Sequence, residues 1–184
     1  LRGLEERNHH SFVLTQTDDP VVNRLGFKVA GENDLDLIER HCAGLGLPTA
    51  WVEQYAQGRT LQVRDPIGIP LEFCYQFDQV ERNLQKYGTY RGCQPQRIDH
   101  FNCFTFDVQR SYDFYAQELG FRTTEYTETE DEQPNLWAVW LHRKGNVHDL
   151  ALTNGAGPRL HHVAIWVPTA MHIINLCDLM STTG

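Results

Sequence analysis

None of the five cysteines, Cys42, Cys74, Cys93, Cys103 and Cys177, stands in a C-x-x-C pair, and their number is odd. Neither a disulfide framework nor a structural zinc site is therefore suggested, and a reducing cytoplasm is the simplest setting. Positive charge is also scarce: 16 Lys and Arg against 24 Asp and Glu give a formal net charge of −8. Nucleic acid and anionic membrane select for basic patches, so neither is the expected partner, and a small organic molecule fits better. No apolar run approaches the roughly 18 residues of a membrane span, and no charged-then-apolar leader opens the chain. What is present is ordinary for a globular protein, 41% hydrophobic and 22% charged over 184 residues, enough for one large or two small domains.

Histidine is concentrated where strands are expected. The stretch 141–166, LHRKGNVHDLALTNGAGPRLHHVAIW, carries His148, His161 and His162 in alternating apolar runs around a Gly/Pro turn, and RIDHFNCFTFDV upstream carries His100. Imidazole is costly to bury without a partner. A lone strand histidine is satisfied by a core hydrogen bond; several together point to a metal or proton-transfer site, with His100 and His162 meeting there.

The chain repeats itself. NHHSFVLT (8–15) resembles NVHDLALT (146–153), and VNRLGFKVA (22–30) lies over GPRLHHVAI (157–165), so that Arg24 and Leu25 match Arg159 and Leu160. A helix follows each copy, DLDLIERHCAGLG in the first and TAMHIINLCDLM in the second. Beyond its helix the first copy continues as strands around Gly-Arg and Asp-Pro-x-Gly turns. One unit is thus a strand, a helix and several strands, and repetition of it fixes the architecture. A polar stretch, 78–96, separates the halves. The second then opens with the His100 strand and a helix over 109–120, with Tyr112, Phe114, Tyr115 and Leu119 on its buried side and Gly120 as its stop. Strands FRTTEYTE and NLWAVWLHR follow, joined by an acidic loop expected to be exposed. The two copies disagree at informative places: Phe27 stands under His162, and Gly26 under His161. A structural role could use Phe in both, so His162 reads as functional. Leu1 falls in a strand-like pattern and Gly184 just after a helix, so a segment of a longer protein is expected.

RIDHFN, DV followed by FYAQELGF, WAVWLHRKGNVHDLALT and GPRLHHVAI together resemble the type I extradiol catechol dioxygenases of the vicinal oxygen chelate superfamily, and among them the homoprotocatechuate (3,4-dihydroxyphenylacetate) 2,3-dioxygenases. The resemblance runs over essentially the whole chain. It implies an α+β fold of repeated βαβββ units in two domains, with the last unit truncated: a metal-free domain over 1–77, a linker over 78–96 and a catalytic domain over 97–184. It also implies a cytoplasmic enzyme of aromatic degradation that cleaves the ring of a catechol, by implication 3,4-dihydroxyphenylacetate, with O2. Fe(II) or Mn(II) is the implied metal, and a homo-oligomer, a tetramer in the family, the implied assembly. His100 and His162 match two metal ligands and His148 the acid/base, while Asn102, Trp140 and His161 fall at pocket or neighbouring positions. His161 is open between a pocket edge and a core contact. The third ligand, a Glu, lies beyond Gly184; its counterpart in the first half is Glu72, which has Phe27 where a histidine would stand and is expected to be structural or solvated.

Two imidazoles and a carboxylate on one face of a divalent metal leave room for a chelated catechol beside O2. A side chain titrating near neutrality suits the proton transfers, which is the task given to His148. Trp140 offers an apolar wall for the ring. Iron and manganese both accept this ligand set. His9, His41, His142 and His172 are read as surface residues, and His10 as a hydrogen-bonded structural one. Two other readings compete: a metal-free module that binds a small molecule, against which the His100 and His162 pair speaks, and a lactoylglutathione lyase-like isomerase, which would use a carboxylate where this chain has His148.

Overall fold

Leu25–Lys28 (β1) is followed by Gly31, whose amide donates to Asp34 Oδ2 at 2.8 Å at the start of the helix Asn33–Gly44 (α1). Asp34 and Asp36 lie in the first turn of α1, where the positive end of the helix dipole favours them. Gly46, at φ +74°, closes the helix in the left-handed conformation, with its own amide on Ala43 O and that of Leu47 on Cys42 O. Leu35 and Cys42, seven positions apart, put one stripe of α1 into the core. Thr49–Gln54 (β2), Gly58–Arg64 (β3) and Pro70–Cys74 (β4) follow. The computed structural model describes residues 1–183.

The second half repeats the pattern. Arg97–Thr105 (β5) leads to Asp107, whose carboxylate accepts from Arg110 N at 2.9 Å and caps the helix Val108–Tyr112 (α2). Instead of continuing as one α-helix to Gly120, as the sequence pattern predicts, the chain widens into a π-helical stretch over Asp113–Glu118. The looser turn lets the adjacent rings of Phe114 and Tyr115 both enter the core, at 2% and 0% exposure. Arg122–Glu128 (β6), Leu136–His142 (β7), Leu150–Asn154 (β8), Arg159–Trp166 (β9) and the helix Ala170–Thr183 (α3) complete the elements.

The two sheets have the same internal order. The first runs β1-β4-β3-β2 and the second β9-β5-β8-β7-β6, with β1 parallel to β4, β5 parallel to β8, and the remaining pairs of known register antiparallel. Each half thus contains a βαβββ unit, and β9 with α3 restates the opening strand and helix. Residues 1–16 depart from the strand-like reading: they form no strand, only a bridge from Asn8 to Gln79. Their repeat counterpart, β8, lies between β5 and β7 and gains hydrogen bonds from both, whereas an extended segment without such neighbours has no ladder to join.

Contacts gather the chain into two compact units. One comprises Leu1–Gln16, Phe77–Asp99 and the described residues from Ala164 onward, and the other Thr17–Gln76 with His100–Val163. The second unit holds the main core, including Leu25, Leu35, Leu61, Leu71, Phe114, Leu141 and Leu152. Within it, Asp65 opens the β3–β4 turn and accepts from Ile67 N at 3.1 Å and Ile69 N at 2.8 Å, while Tyr115 donates its hydroxyl to Asp65 Oδ2 at 2.9 Å. Burial raises the Asp65 pKa against the pull of these bonds, and burial beside Asp65 pushes the Tyr115 phenol well above its ordinary value. The first unit is held in part by Arg97, which pairs with Glu5 at 2.6 Å and lies over the Trp166 ring at 4.4 Å. Among the described residues, no helix is long and apolar enough to cross a membrane.

Candidate active site on the second sheet

Strand alternation sorts the second sheet into two faces. Phe101, Cys103, Leu150, Leu152, Val139 and Leu141 face the core. The opposite face carries His100, Asn102 and Phe104 of β5. Register brings Asn102, Ala151 and Trp140 into one row across β5, β8 and β7, and Phe104, Thr153 and Ala138 into the next. The small Ala138 and Ala151 leave the larger groups of that face to define its relief. Asn102 Oδ1 accepts from Thr153 Oγ1 at 3.3 Å, which fixes the amide, and Trp140 is half-buried.

The histidines gather at one place. His100 Nε2 and His162 Nε2 are 3.2 Å apart, with ring centroids at 5.3 Å. His148, in the loop before β8, lies with its ring centroid 4.0 Å from that of His100. His161 Nδ1 is 2.6 Å from His162 Nδ1, and the His161 ring meets Phe104 edge-on at 4.8 Å. His161 is exposed, so it stands at the rim of the cluster rather than in the core. Burial first, and then the neighbouring His100 and His161, lower the His162 pKa and favour its neutral form. If His162 Nδ1–H donates to His161, the lone pair of His162 is on Nε2, the atom that faces His100.

This donor pair fits a divalent metal ion. Two imidazole nitrogens about 2.1 Å from one ion, at an angle of about 100°, are about 3.2 Å apart, the separation found between His100 and His162. Two nitrogens do not make a full site: among the described residues, no group of three His, Cys, Asp or Glu side chains is placed to hold a metal. The corresponding place in the first half is apolar. Phe27 stacks on Phe73 at 5.8 Å and meets Phe101 and Phe121 edge-on. Glu72 is structural there, accepting from Gln57 Nε2 at 3.1 Å and facing Arg24 Nε at 3.6 Å.

Four of the five remaining histidines are engaged locally, whereas His172 Nδ1 is buried without a hydrogen-bond partner among the described residues. His41 pairs with Glu118 at 3.0 Å, His142 Nδ1 lies 2.9 Å from Lys144 O, and His10 meets His9 at 3.2 Å between Nδ1 atoms. Asp149, which the sequence reading passed over, is buried next to His148 and binds the backbone of its loop. The available signal was an acidic residue at the start of the fully apolar strand run LAL, where a carboxylate requires partners.

Residues 97–184 match the sequence profile of the Glyoxalase/Bleomycin resistance protein/Dioxygenase superfamily. Among curated proteins, the chain is 24% identical to the manganese-dependent 2,3-dihydroxybiphenyl 1,2-dioxygenase of Geobacillus genomosp. 3, over 98% of this chain and 61% of that protein. It is 25% identical to the metapyrocatechase of Pseudomonas sp. (strain CF600), over 100% of this chain and 62% of that protein. Among solved structures, an extradiol ring-cleaving dioxygenase from B. fuscum superposes with a TM-score of 0.91 at 39% identity, covering 99% of this chain and 51% of that one. The homoprotocatechuate 2,3-dioxygenase of Arthrobacter globiformis does so at 0.91 and 38%, covering 99% and 56%. The chain therefore spans between half and two thirds of the length of these relatives.

Proposed function

We propose, from the match of residues 97–184 to the Glyoxalase/Bleomycin resistance protein/Dioxygenase superfamily, that the chain carries the metal-binding imidazoles and the acid/base of an extradiol catechol dioxygenase. The observation that carries this is the 3.2 Å approach of His100 Nε2 to His162 Nε2, with His148 against the His100 ring. In this reading His100 and His162 would hold Fe(II) or Mn(II), and a carboxylate that the family resemblance puts beyond Gly184 would complete the set. Held by these residues, a divalent metal would supply a Lewis-acidic, redox-active centre at which a catechol and O2 could be brought together.

The protein's own groups do the rest. A ring nitrogen of His148 accepts a catechol hydroxyl proton on binding and returns a proton to oxygen as the ring opens beside the diol, with both atoms of O2 entering the product. His148 stays off the metal. Trp140 walls the aromatic ring, Asn102, steadied by Thr153, presents its amide to the same face, and His161 supports His162 from the rim. In this reading 1–77 is the metal-free part, with Phe27 in place of a ligand, 78–96 the link and 97–184 the catalytic part.

The preferred substrate is 3,4-dihydroxyphenylacetate. Identity of 38–39% to homoprotocatechuate enzymes, against 24–25% to the dihydroxybiphenyl and metapyrocatechase relatives, supports that choice. The test is made on the full-length protein, loaded anaerobically with Fe(II) or Mn(II) and given 3,4-dihydroxyphenylacetate and O2. Stoichiometric oxygen uptake with a yellow ring-opened product is expected. Metal bound without turnover of any catechol would assign the site to another reaction of the superfamily. No metal uptake at all would leave the two imidazoles as a hydrogen-bonded pair and the fold as a binding module.

A further inference from the structure

Asp149 follows His148 directly and is 7% exposed, at the root of a loop that is largely exposed. Its backbone N–H donates to Leu141 O at 2.8 Å, and its carbonyl accepts from Phe101 N at 3.1 Å. The residue is thereby tied to β7 on one side and, next to His100, to β5 on the other. Its carboxylate turns back into the loop: Oδ2 accepts from Arg143 N at 2.6 Å and Lys144 N at 3.0 Å, and the Lys144 ammonium lies 2.8 Å from Oδ1. In the first βαβββ unit the corresponding connection is residues 65–69, closed from its near end by Asp65. Here the connection is longer, residues 143–149, and it is closed from its far end. The extra length brings His148 against His100.

A buried carboxylate is costly unless donors fill its oxygens, and a connection between two strands needs only turn residues. The charge at 149 closes its loop as that of Asp65 closes the shorter turn, and it does so directly beside His148. The loop also has other anchors. Thr124 Oγ1 donates to Val147 O, Asn146 Nδ2 donates to His148 O, and Arg143 Nη1 donates to Gly120 O at 2.6 Å. Asp149 is the anchor that joins the start of the loop to the two strands flanking β8.

We propose that Asp149 is a positioning residue for His148: by folding Arg143 and Lys144 back onto β8, it fixes the His148 ring over His100 and so sets the proton transfer that His148 carries out. The inference rests on the acid/base role given to His148. It is tested with Asp149→Asn in the full-length enzyme. Misplacing a catalytic group by about an ångström costs on the order of 10²-fold in rate, so kcat is expected to fall by about that factor with KM and metal content nearly unchanged. In a His148→Asn background the same change should cost less than about twofold, because the two residues act as one unit.

A second readout does not depend on turnover. In metal-free, histidine-labelled protein, the His148 ring signal, displaced by the adjacent His100 ring, should shift in Asp149→Asn, and the Arg143 and Lys144 amides should exchange faster. The Leu141 and Leu150 amides should stay protected. Should Asp149→Asn fail to fold, Lys144→Gln removes only the ammonium and should move the same signals the same way by less. An unmoved His148 signal in the folded variants, or a full rate penalty for Asp149→Asn on top of His148→Asn, overturns the proposal. Normal turnover by His148→Asn alone would instead remove the proton role of His148, and the ring signal would then decide separately whether Asp149 places that ring.

Discussion

Replacing His148 with Asn removes a ring that lies 4.0 Å from the His100 ring but is no part of the 3.2 Å approach between His100 and His162. The donor pair should therefore remain, and metal content should stay at the wild-type level. What is lost is a positioned proton acceptor and donor, worth roughly 10²–10⁴ in rate, or about 2.7–5.4 kcal/mol of barrier at about 1.36 kcal/mol per factor of ten. His162→Ala takes away one of the two facing nitrogens and should lose metal and turnover together. The assay measures metal by elemental analysis and ring cleavage by oxygen uptake on both full-length variants, prepared side by side. Loss of metal in His148→Asn would make His148 a ligand, and the site would have to be redrawn with three imidazoles. Unchanged turnover across the pH range would return His148 to a purely structural place in its loop.

Tyr115→Phe strips the buried hydroxyl that donates to Asp65 at 2.9 Å and should cost about 1.5–3 kcal/mol, as for other hydrogen bonds to a charged group, read as a lower urea midpoint. Because burial raises the Asp65 pKa in the fold, the protonated carboxyl favours folding; that contribution is full below the ordinary carboxylate range and fades as pH rises through the raised value. The stability difference between wild type and Asp65→Asn should therefore shift against wild type as pH climbs from about 4, and a difference that grows in favour of wild type would refute it. In Gly157→Ala the added Cβ would fall 2.1 Å from Phe104 O, so the β8–β9 turn must move; about 1–3 kcal/mol of stability should go, together with metal uptake, measured by melting and by titration. On the proposed ligand set, the 184 residues expressed alone should show no ring cleavage, since two imidazoles hold a divalent ion weakly; turnover there would refute that set.

The unit repeat was legible because matched strings preserve strand and helix spacing, and the sheet orders follow the same pattern. The faces of β5 and β8 were legible for the same reason: alternation puts Cys103 and Leu152 on one side and His100 on the other. That His100 and His162 meet was argued from histidine clustering and sharpened by family resemblance, since no local spacing joins residues so far apart in the chain. The π-helical stretch was hidden because apolar residues at 112, 114, 115 and 119 satisfy a helical pattern whatever its pitch. Strand character over 1–16 was overread, since alternation describes a segment's preference and not whether a neighbouring strand exists to pair with it. The tie from Tyr115 to Asp65, 50 positions apart, and the grip of Asp149 on its loop left no composition signal, because Asp in a turn more often faces water.

His100 and His162 are 62 positions apart, and the chain between the strands that bear them forms the intervening helix and the β6–β8 meander. Loop-closure entropy places such contacts late in folding. An ion held between those two side chains would then bind a contact absent from the transition state, and its effect would fall on the rate of unfolding while leaving the rate of folding almost unchanged. For this chain the metal would act as a latch, lengthening the lifetime of a fold that assembles without it.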